Sequence, residues 1–277
     1  VVDDGSGRST WHQINRNYLG FPDGVHATAL RELGETQARK YGVDFLDARA
    51  VSVTAEGTDR DKLFVLQTTR GTLKGRTLML ATGVSDSFPE FEGSDECIGK
   101  SMFWCIFCDG YEATGQRVVV LGHDDHAAAL ALQLLVFTDQ VVLVAGDEPL
   151  TIGEERLRAV RDHGIEMHDC GCEVFQCAGE GRLEALRLAS GKEISLDMLF
   201  VAQHAEPNSQ LAKELNIATS EEGYIVTDAE QATSVEGVYA AGDVTRLHSH
   251  QITSAVHEGA MAAAAVNHYL YDEWQRD

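Results

Sequence analysis

The sequence predicts an α/β protein with mainly parallel sheets, on three observations. Short apolar runs alternate with helical patterns along the chain, the order that lays helices over parallel strands. The segment "VVVLGHDDHAAALALQLL" (118–135) reads as a buried strand from Val118 to Leu121, a turn at Gly122 and a helix from Ala127 to Phe137. That is the strand–loop–helix frame of a dinucleotide site. The opening "VVDDGSGRS" reads as a strand end entering a Gly/Ser-rich turn, with an acid where such strands commonly hold a dinucleotide's ribose.

The elements follow in three stretches. Residues 1–91 carry the strand end, a helical pattern through "HATALRELGETQARKYGV", and two strands, "LFVLQTT" and "TLMLATG", with Gly71 turning between them. Residues 92–204 hold the 118–135 frame, then "VVLVAG" and the strand-rich "LEALRLASGKEISLDMLFVA", in which "SGK" (190–192) joins two alternating runs as a hairpin does. Residues 205–277 contain "GYIVTD", "GVYAAGDV" and a closing helix, "SAVHEGAMAAAAVNHYL". A dinucleotide fold places its first strand and glycine-rich loop roughly 25 to 30 residues before the ribose-holding acid. Here that falls ahead of Val1, so the expectation is a truncated chain or a late numbering.

Composition removes several function classes. The formal charge of −22 argues against nucleic acid, whose binding needs clustered lysine and arginine, and against anionic membranes. It reads as a solubilising acidic surface. The longest apolar stretch, Ala127 to Phe137, is broken by Gln133 and is too short to span a bilayer. The chain opens on no export signal, which makes a reducing cytoplasm the expected compartment. Six cysteines in 277 residues do not make a secreted disulfide framework.

The cysteines fall into a close pair, Cys105 and Cys108, with Cys97, Cys170, Cys172 and Cys177 elsewhere. "FWCIFCDGYE" (103–112) has two chemical readings. Structural zinc needs two more ligands; His168, Cys170 and Cys172 are candidates, but Cys-x-Cys is a poor match to the usual knuckle. Redox chemistry fits better: one thiolate attacks a partner disulfide and the other resolves the mixed intermediate. Asp109 adjoins the pair as an acid able to move a proton, and Gly110 supplies backbone freedom after it. Cys97, Cys170, Cys172 and Cys177 read as small apolar packing residues.

With "CIFCDGY" lying ahead of a second nucleotide-type loop, the chain resembles the low-molecular-weight thioredoxin reductase family of flavoproteins. "NYLGFPDGV" (17–25), "LMLATGVSDSFPEFEG" (78–93), "TSVEGVYAAGDV" (233–244) and "HQITSAVHEGAMAA" (250–263) match further family segments in order, with Leu19 replacing a proline and His250 an arginine. The resemblance implies two Rossmann-like domains, with an FAD domain split around the middle one, and a homodimer. It implies that Asp3 holds the FAD ribose and that Asn17 contacts the flavin ring. Thr82 and Gly83 would lie near the dinucleotide, Gly242 and Asp243 at its ribityl or phosphate region, and Gln251 and Ile252 on the isoalloxazine. Cys108 would be the flavin-side sulfur, Cys105 the one that attacks a thioredoxin-like disulfide, and Asp109 the acid.

Two departures concern the nicotinamide site. Family loops approach a pyrophosphate through glycine, but the third loop position here is Asp124, a like charge costing several kcal/mol at about 4 Å and an effective dielectric near 20. Its carboxylate is expected to cap the helix amides instead. After "VVLV" (141–144) the family carries His-Arg-Arg for the NADPH 2′-phosphate, and this chain has Ala145, Gly146, Asp147 and Glu148. Acids there repel that phosphate, although Asp147 suits the free 2′-hydroxyl of NADH. The resulting expectation is an FAD enzyme that does not use NADPH. It would draw on another donor such as ferredoxin, or run as an oxygen-using dithiol oxidase. An NADH-dependent reductase and an FAD-free remnant are the alternatives.

Overall fold

The computed structural model describes the chain except residues 12, 59–61, 147, 170–171, 203–204, 247–249 and 276–277, and also except the side chains of 172–174 and 272–275. The chain forms two compact units, one of Val1–Arg8, Gly34–Asp86 and Ala205–Asp277, the other of Ser9–Leu33 and Ser87–His204. Both mix helices and strands, and the α/β class is as the sequence predicts.

The second unit is built on a five-stranded parallel sheet in the spatial order Met102–Phe103, Met198–Val201, Val118–Leu121, Val141–Val144 and Glu166–His168. Side chains alternate across a strand, so Val118–Leu121 serves two cores at once. Val118 and Val120 pack with Ala127, Ala128, Leu130, Ala131 and Leu134 of helix Asp125–Leu134 and with Val160 of helix Glu154–Asp162. Val119 and Leu121 pack with Leu183, Leu186, Leu188 and Ile194 of an antiparallel meander on the other face. The meander runs Cys172–Cys177, Leu183–Leu188, Glu193–Ser195. Its second turn is the hairpin expected at "SGK", with Gly191 at φ +83°.

In the first unit, Val2–Asp3 pairs in parallel with Leu46–Asp47, and Leu78–Leu80 with Val238–Ala240. An antiparallel trio, Ala50–Glu56, Leu63–Thr68 and Gly71–Gly75, covers a core of Val53, Phe64, Leu80, Leu211, Ile225, Val238 and Val244. The closing helix is Ile252–Gln275.

Three local expectations change. Gly71, at φ +118°, closes the turn after Leu63–Thr68, but the strand it opens is Gly71–Gly75 and not Leu78–Leu80; the apolar pattern misses this extra strand because Leu73 is its one large apolar side chain and stands exposed. The helix expected over Ala127–Phe137 starts at Asp125, behind the Asp124 cap, and ends at Leu134. Its last turn is diverted where Phe137 accepts from Gly115 N at 3.1 Å and returns the chain to the sheet. "GYIVTD" forms only an isolated bridge, Thr219 to Ile225.

Candidate active site

In the second unit, strand Met102–Phe103 delivers the chain to Cys105, which is extended, and Ile106–Asp109 then makes a single helical turn. Both Cys108 N and Asp109 N donate to the Cys105 carbonyl, at 3.2 and 3.0 Å. That turn brings the two Cα atoms to 5.3 Å, and the cysteines are joined as a disulfide. Both cysteines are half-buried, while Phe107 between them is 78% exposed. The approach is held on either side. Trp104 meets Trp11 edge-on at 4.9 Å and Phe88 at 5.5 Å, contacts that orient aromatic clusters. Asn17 Nδ2 donates to the Phe107 carbonyl at 3.2 Å.

Asp109 follows on the same turn and is 1% exposed. Its Oδ2 has no hydrogen-bond partner among the described residues. Burial pushes its carboxyl up to about 7; the Arg16 charge opposes this shift and Glu112 adds to it. Arg16 and Glu112 are themselves paired at 3.1 Å, which blunts both effects. Asp109 is therefore an acid poised near neutrality, suited to giving or taking a thiol proton. Gly110 behaves otherwise than expected. Its backbone is ordinary helix, and glycine is needed there because a Cβ would fall 2.8 Å from the Phe137 ring.

The loop after Val118–Leu121 is filled by its own carboxylates. Asp124 Oδ1 accepts from His126 N and Ala127 N, both at 3.0 Å, as the N-cap of helix Asp125–Leu134. These amides are the donors that a dinucleotide phosphate would use. The neighbouring Asp125 accepts from Gly153 N at 2.8 Å, and Arg156 Nη1 bonds the Asp125 carbonyl at 2.9 Å. Gly122 is required by packing, since a Cβ would lie 2.7 Å from Ala127 Cβ and 3.0 Å from Ala202 Cβ. Glu148 lies 3.4 Å from His123 Nε2; Asp147 is outside the described residues.

In the first unit, Asp3, Thr82, Gly83, Gly242 and Asp243 lie at or just after the ends of parallel strands, where open α/β sheets bind ligands. Asp3 ends its strand and accepts from Gly5 N at 2.9 Å. Thr82 and Gly83 follow Leu78–Leu80; Thr82 Oγ1 donates to the Asn208 carbonyl at 2.6 Å. Gly83 has φ +65°, with no atom within 4 Å of where its Cβ would stand. Gly242 and Asp243 follow Val238–Ala240, with Gly242 at φ +81°. Gln251 precedes the closing helix, its carbonyl accepting from Ala255 N at 3.0 Å, and Ile252 begins that helix. Carboxylates able to bond hydroxyls, left-handed glycines and open space beside Gly83 fit a dinucleotide.

Residues that sequence reasoning did not select brace this cluster. Arg8 forks onto Asp86 and also donates to Asp243 Oδ2 at 3.0 Å. Glu258 is fully buried and accepts from Gly242 N at 2.7 Å and from Thr245 Oγ1 at 3.1 Å, while pairing with Arg246. Of the residues weighed for zinc, His168 pairs with Glu166 at 3.0 Å. Among the described residues no three His, Cys, Asp or Glu side chains group as metal ligands; Cys170 and the Cys172 side chain lie outside them.

Comparison with known proteins bears on this geometry. A sequence profile described as pyridine nucleotide-disulphide oxidoreductase matches residues 7–259. A thioredoxin reductase of Treponema pallidum (strain Nichols) is 28% identical over 263 residues, 92% of this chain and 82% of its own length. The crystal structure of HlmI superposes with a TM-score of 0.88 at 30% identity, covering 98% of this chain and 84% of HlmI. The atypical thioredoxin reductase TRi from Desulfovibrio vulgaris Hildenborough is also 30% identical, with a TM-score of 0.51 over 99% of this chain and 90% of that one.

Two outcomes are expected. Asp124→Ala removes the cap and should lower stability by about 1 kcal/mol, whereas Asp124→Asn keeps it and should change little, as read from urea midpoints. Asp109 titrates at about 7 folded against an ordinary 3.8, so the folded chain holds a proton that the unfolded chain has released between those values. Stability contributed at this position therefore falls as pH rises through that window. Relative to wild type, Asp109→Asn should gain stability by an amount on the order of 4 kcal/mol across the window and stay level above it. Urea midpoints at pH 4, 6 and 8 measure this.

Proposed function

The chain belongs to the pyridine nucleotide-disulphide oxidoreductase family, and we propose that it moves electrons between FAD and an external disulfide through Cys105 and Cys108, and that its Asp124 loop departs from that family's use of NADPH. It is a flavin-dependent disulfide oxidoreductase of the thioredoxin reductase type, with FAD as cofactor and two Rossmann-like domains. In the proposed division, residues 1–91 and 205–277 form the FAD domain and 92–204 the inserted domain. The bound flavin supplies a two-electron carrier; the remaining chemistry belongs to the side chains.

In the proposed cycle, the Cys105 thiolate attacks one sulfur of the partner disulfide, forming a mixed disulfide and expelling the other sulfur as a thiolate. Asp109 delivers a proton to that leaving group. Cys108 then attacks Cys105 Sγ, restoring the Cys105–Cys108 disulfide and releasing the partner's second thiol. One external disulfide becomes two thiols, and two thiols here become one disulfide. Asp3 and Asp243 are assigned to hydroxyls of the FAD, Thr82, Gly83 and Gly242 to its backbone contacts, and Asn17, Gln251 and Ile252 to its ring. A thioredoxin-like protein is the proposed partner, and the proposed working form is a cytoplasmic homodimer; both are inferred from family likeness. Among the described residues no helix is long and apolar enough to cross a membrane.

The observation carrying the NADPH reading is the Asp124 carboxylate on the amides of His126 and Ala127. A phosphate arriving there would have to displace that carboxylate and approach its charge. Ferredoxin, or oxygen with electrons flowing from a dithiol, is the proposed exchange partner for the flavin.

Anaerobic addition of NADPH to the oxidised holoprotein should leave the flavin absorbance unchanged, and prompt bleaching would refute the donor assignment. The same titration with NADH, reduced ferredoxin and a dithiol identifies the donor; bleaching by NADH alone would make the enzyme an NADH-dependent reductase. Cys108→Ser should abolish disulfide turnover with flavin still bound, and retained turnover would remove the assigned mechanism.

A further inference from the structure

Outside the catalytic turn, a second pair of sulfurs lies close together. Cys97 ends the short helix Ser94–Cys97 and is fully buried; Cys177 ends strand Cys172–Cys177 and is half-buried. Their Sγ atoms stand 3.6 Å apart although 80 residues separate them in sequence. A disulfide spans about 2.05 Å, so bonding needs a closure of roughly 1.5 Å.

The surroundings hold the two segments together on both sides of the sulfurs. Gly181, at φ +76°, rests on the chain beneath it so closely that a Cβ would fall 2.0 Å from the Glu96 carbonyl oxygen. Ser101 Oγ donates to the Gly181 carbonyl at 2.7 Å and accepts from Leu183 N at 3.1 Å. On the other flank, Phe91 stacks on Phe175 with centroids 4.7 Å apart. Each sulfur also serves as a small apolar packing group, and what sets this pair apart is that the two meet.

We propose that Cys97 and Cys177 are a second redox pair, oxidised to a disulfide by low-molecular-weight disulfides. Cys177, the more exposed, attacks the small disulfide and expels one thiolate, leaving a mixed disulfide on Cys177. Cys97 then loses its proton and attacks Cys177 Sγ, releasing the second small thiol. Two protein thiols become one disulfide, and the external disulfide is reduced to two thiols. Burial pushes the Cys97 thiol up to about 12, which makes the closing step slow and the pair a lasting modification, not a turnover centre. The bond would tie helix Ser94–Cys97 to the meander, on the segment that runs through Met102–Phe103 into Cys105.

The test uses the full-length holoprotein, reduced, freed of reductant and incubated with oxidised glutathione, then alkylated and digested without reduction. Mass spectrometry should find a peptide joining Cys97 to Cys177, and the thermal midpoint should rise by several degrees over the reduced protein. In Cys177→Ala and in Cys97→Ser the linked peptide disappears and the rise shrinks to what Cys105–Cys108 oxidation gives alone. Alkylated free thiols at both positions, a glutathione adduct on Cys177 that outlasts prolonged incubation at alkaline pH, or its pairing with Cys170 or Cys172 would each overturn the proposal.

Discussion

The double-sided burial of Val118–Leu121 constrains everything else in the second unit. All four residues are buried, two toward the helices and two toward the meander, so the strand cannot leave the sheet without opening both cores to water. Its end fixes where the Gly122–Asp125 loop emerges. Through the shared neighbour Met198–Val201, the same sheet also positions Met102–Phe103 and hence the cysteine turn. The chemistry of this unit is a consequence of strand packing.

Much of this was legible because it is local. The buried strand, the capping role of Asp124, the Cys105–Cys108 turn with its acid and the "SGK" hairpin each depend on a few consecutive residues. Those elements carry their own instructions in periodicity and turn chemistry. The pattern marks Gly122 as a turn and Gly110 as a source of backbone freedom, yet at both another side chain occupies the space a Cβ would take. Sequence shows that a glycine is present and not which of its two properties is in use.

The hidden part is long-range. Arg8 meets Asp243 across 235 residues, and Cys97 meets Cys177 across 80. Glu258 sits in an alanine-rich helical run where it would pass for a solvated acid, yet it is fully buried and binds the Gly242 amide. A buried carboxylate is tolerable only when charge and donors surround it, as Arg246, Thr245 and Gly242 do here. These contacts set the shape of the loop carrying Asp243, and no spacing rule announces them.

Phe107, standing 78% exposed between the two sulfurs, has a consequence for selectivity. A small disulfide reaching the sulfurs leaves most of that ring in water, whereas a folded protein that presents a disulfide must lie across it. Covering a phenyl side chain contributes about 1.5 to 3 kcal/mol, equivalent to roughly one to two powers of ten in affinity. If the external disulfide is carried by a protein, the residue between the reacting atoms would supply apolar contact that a small disulfide forgoes.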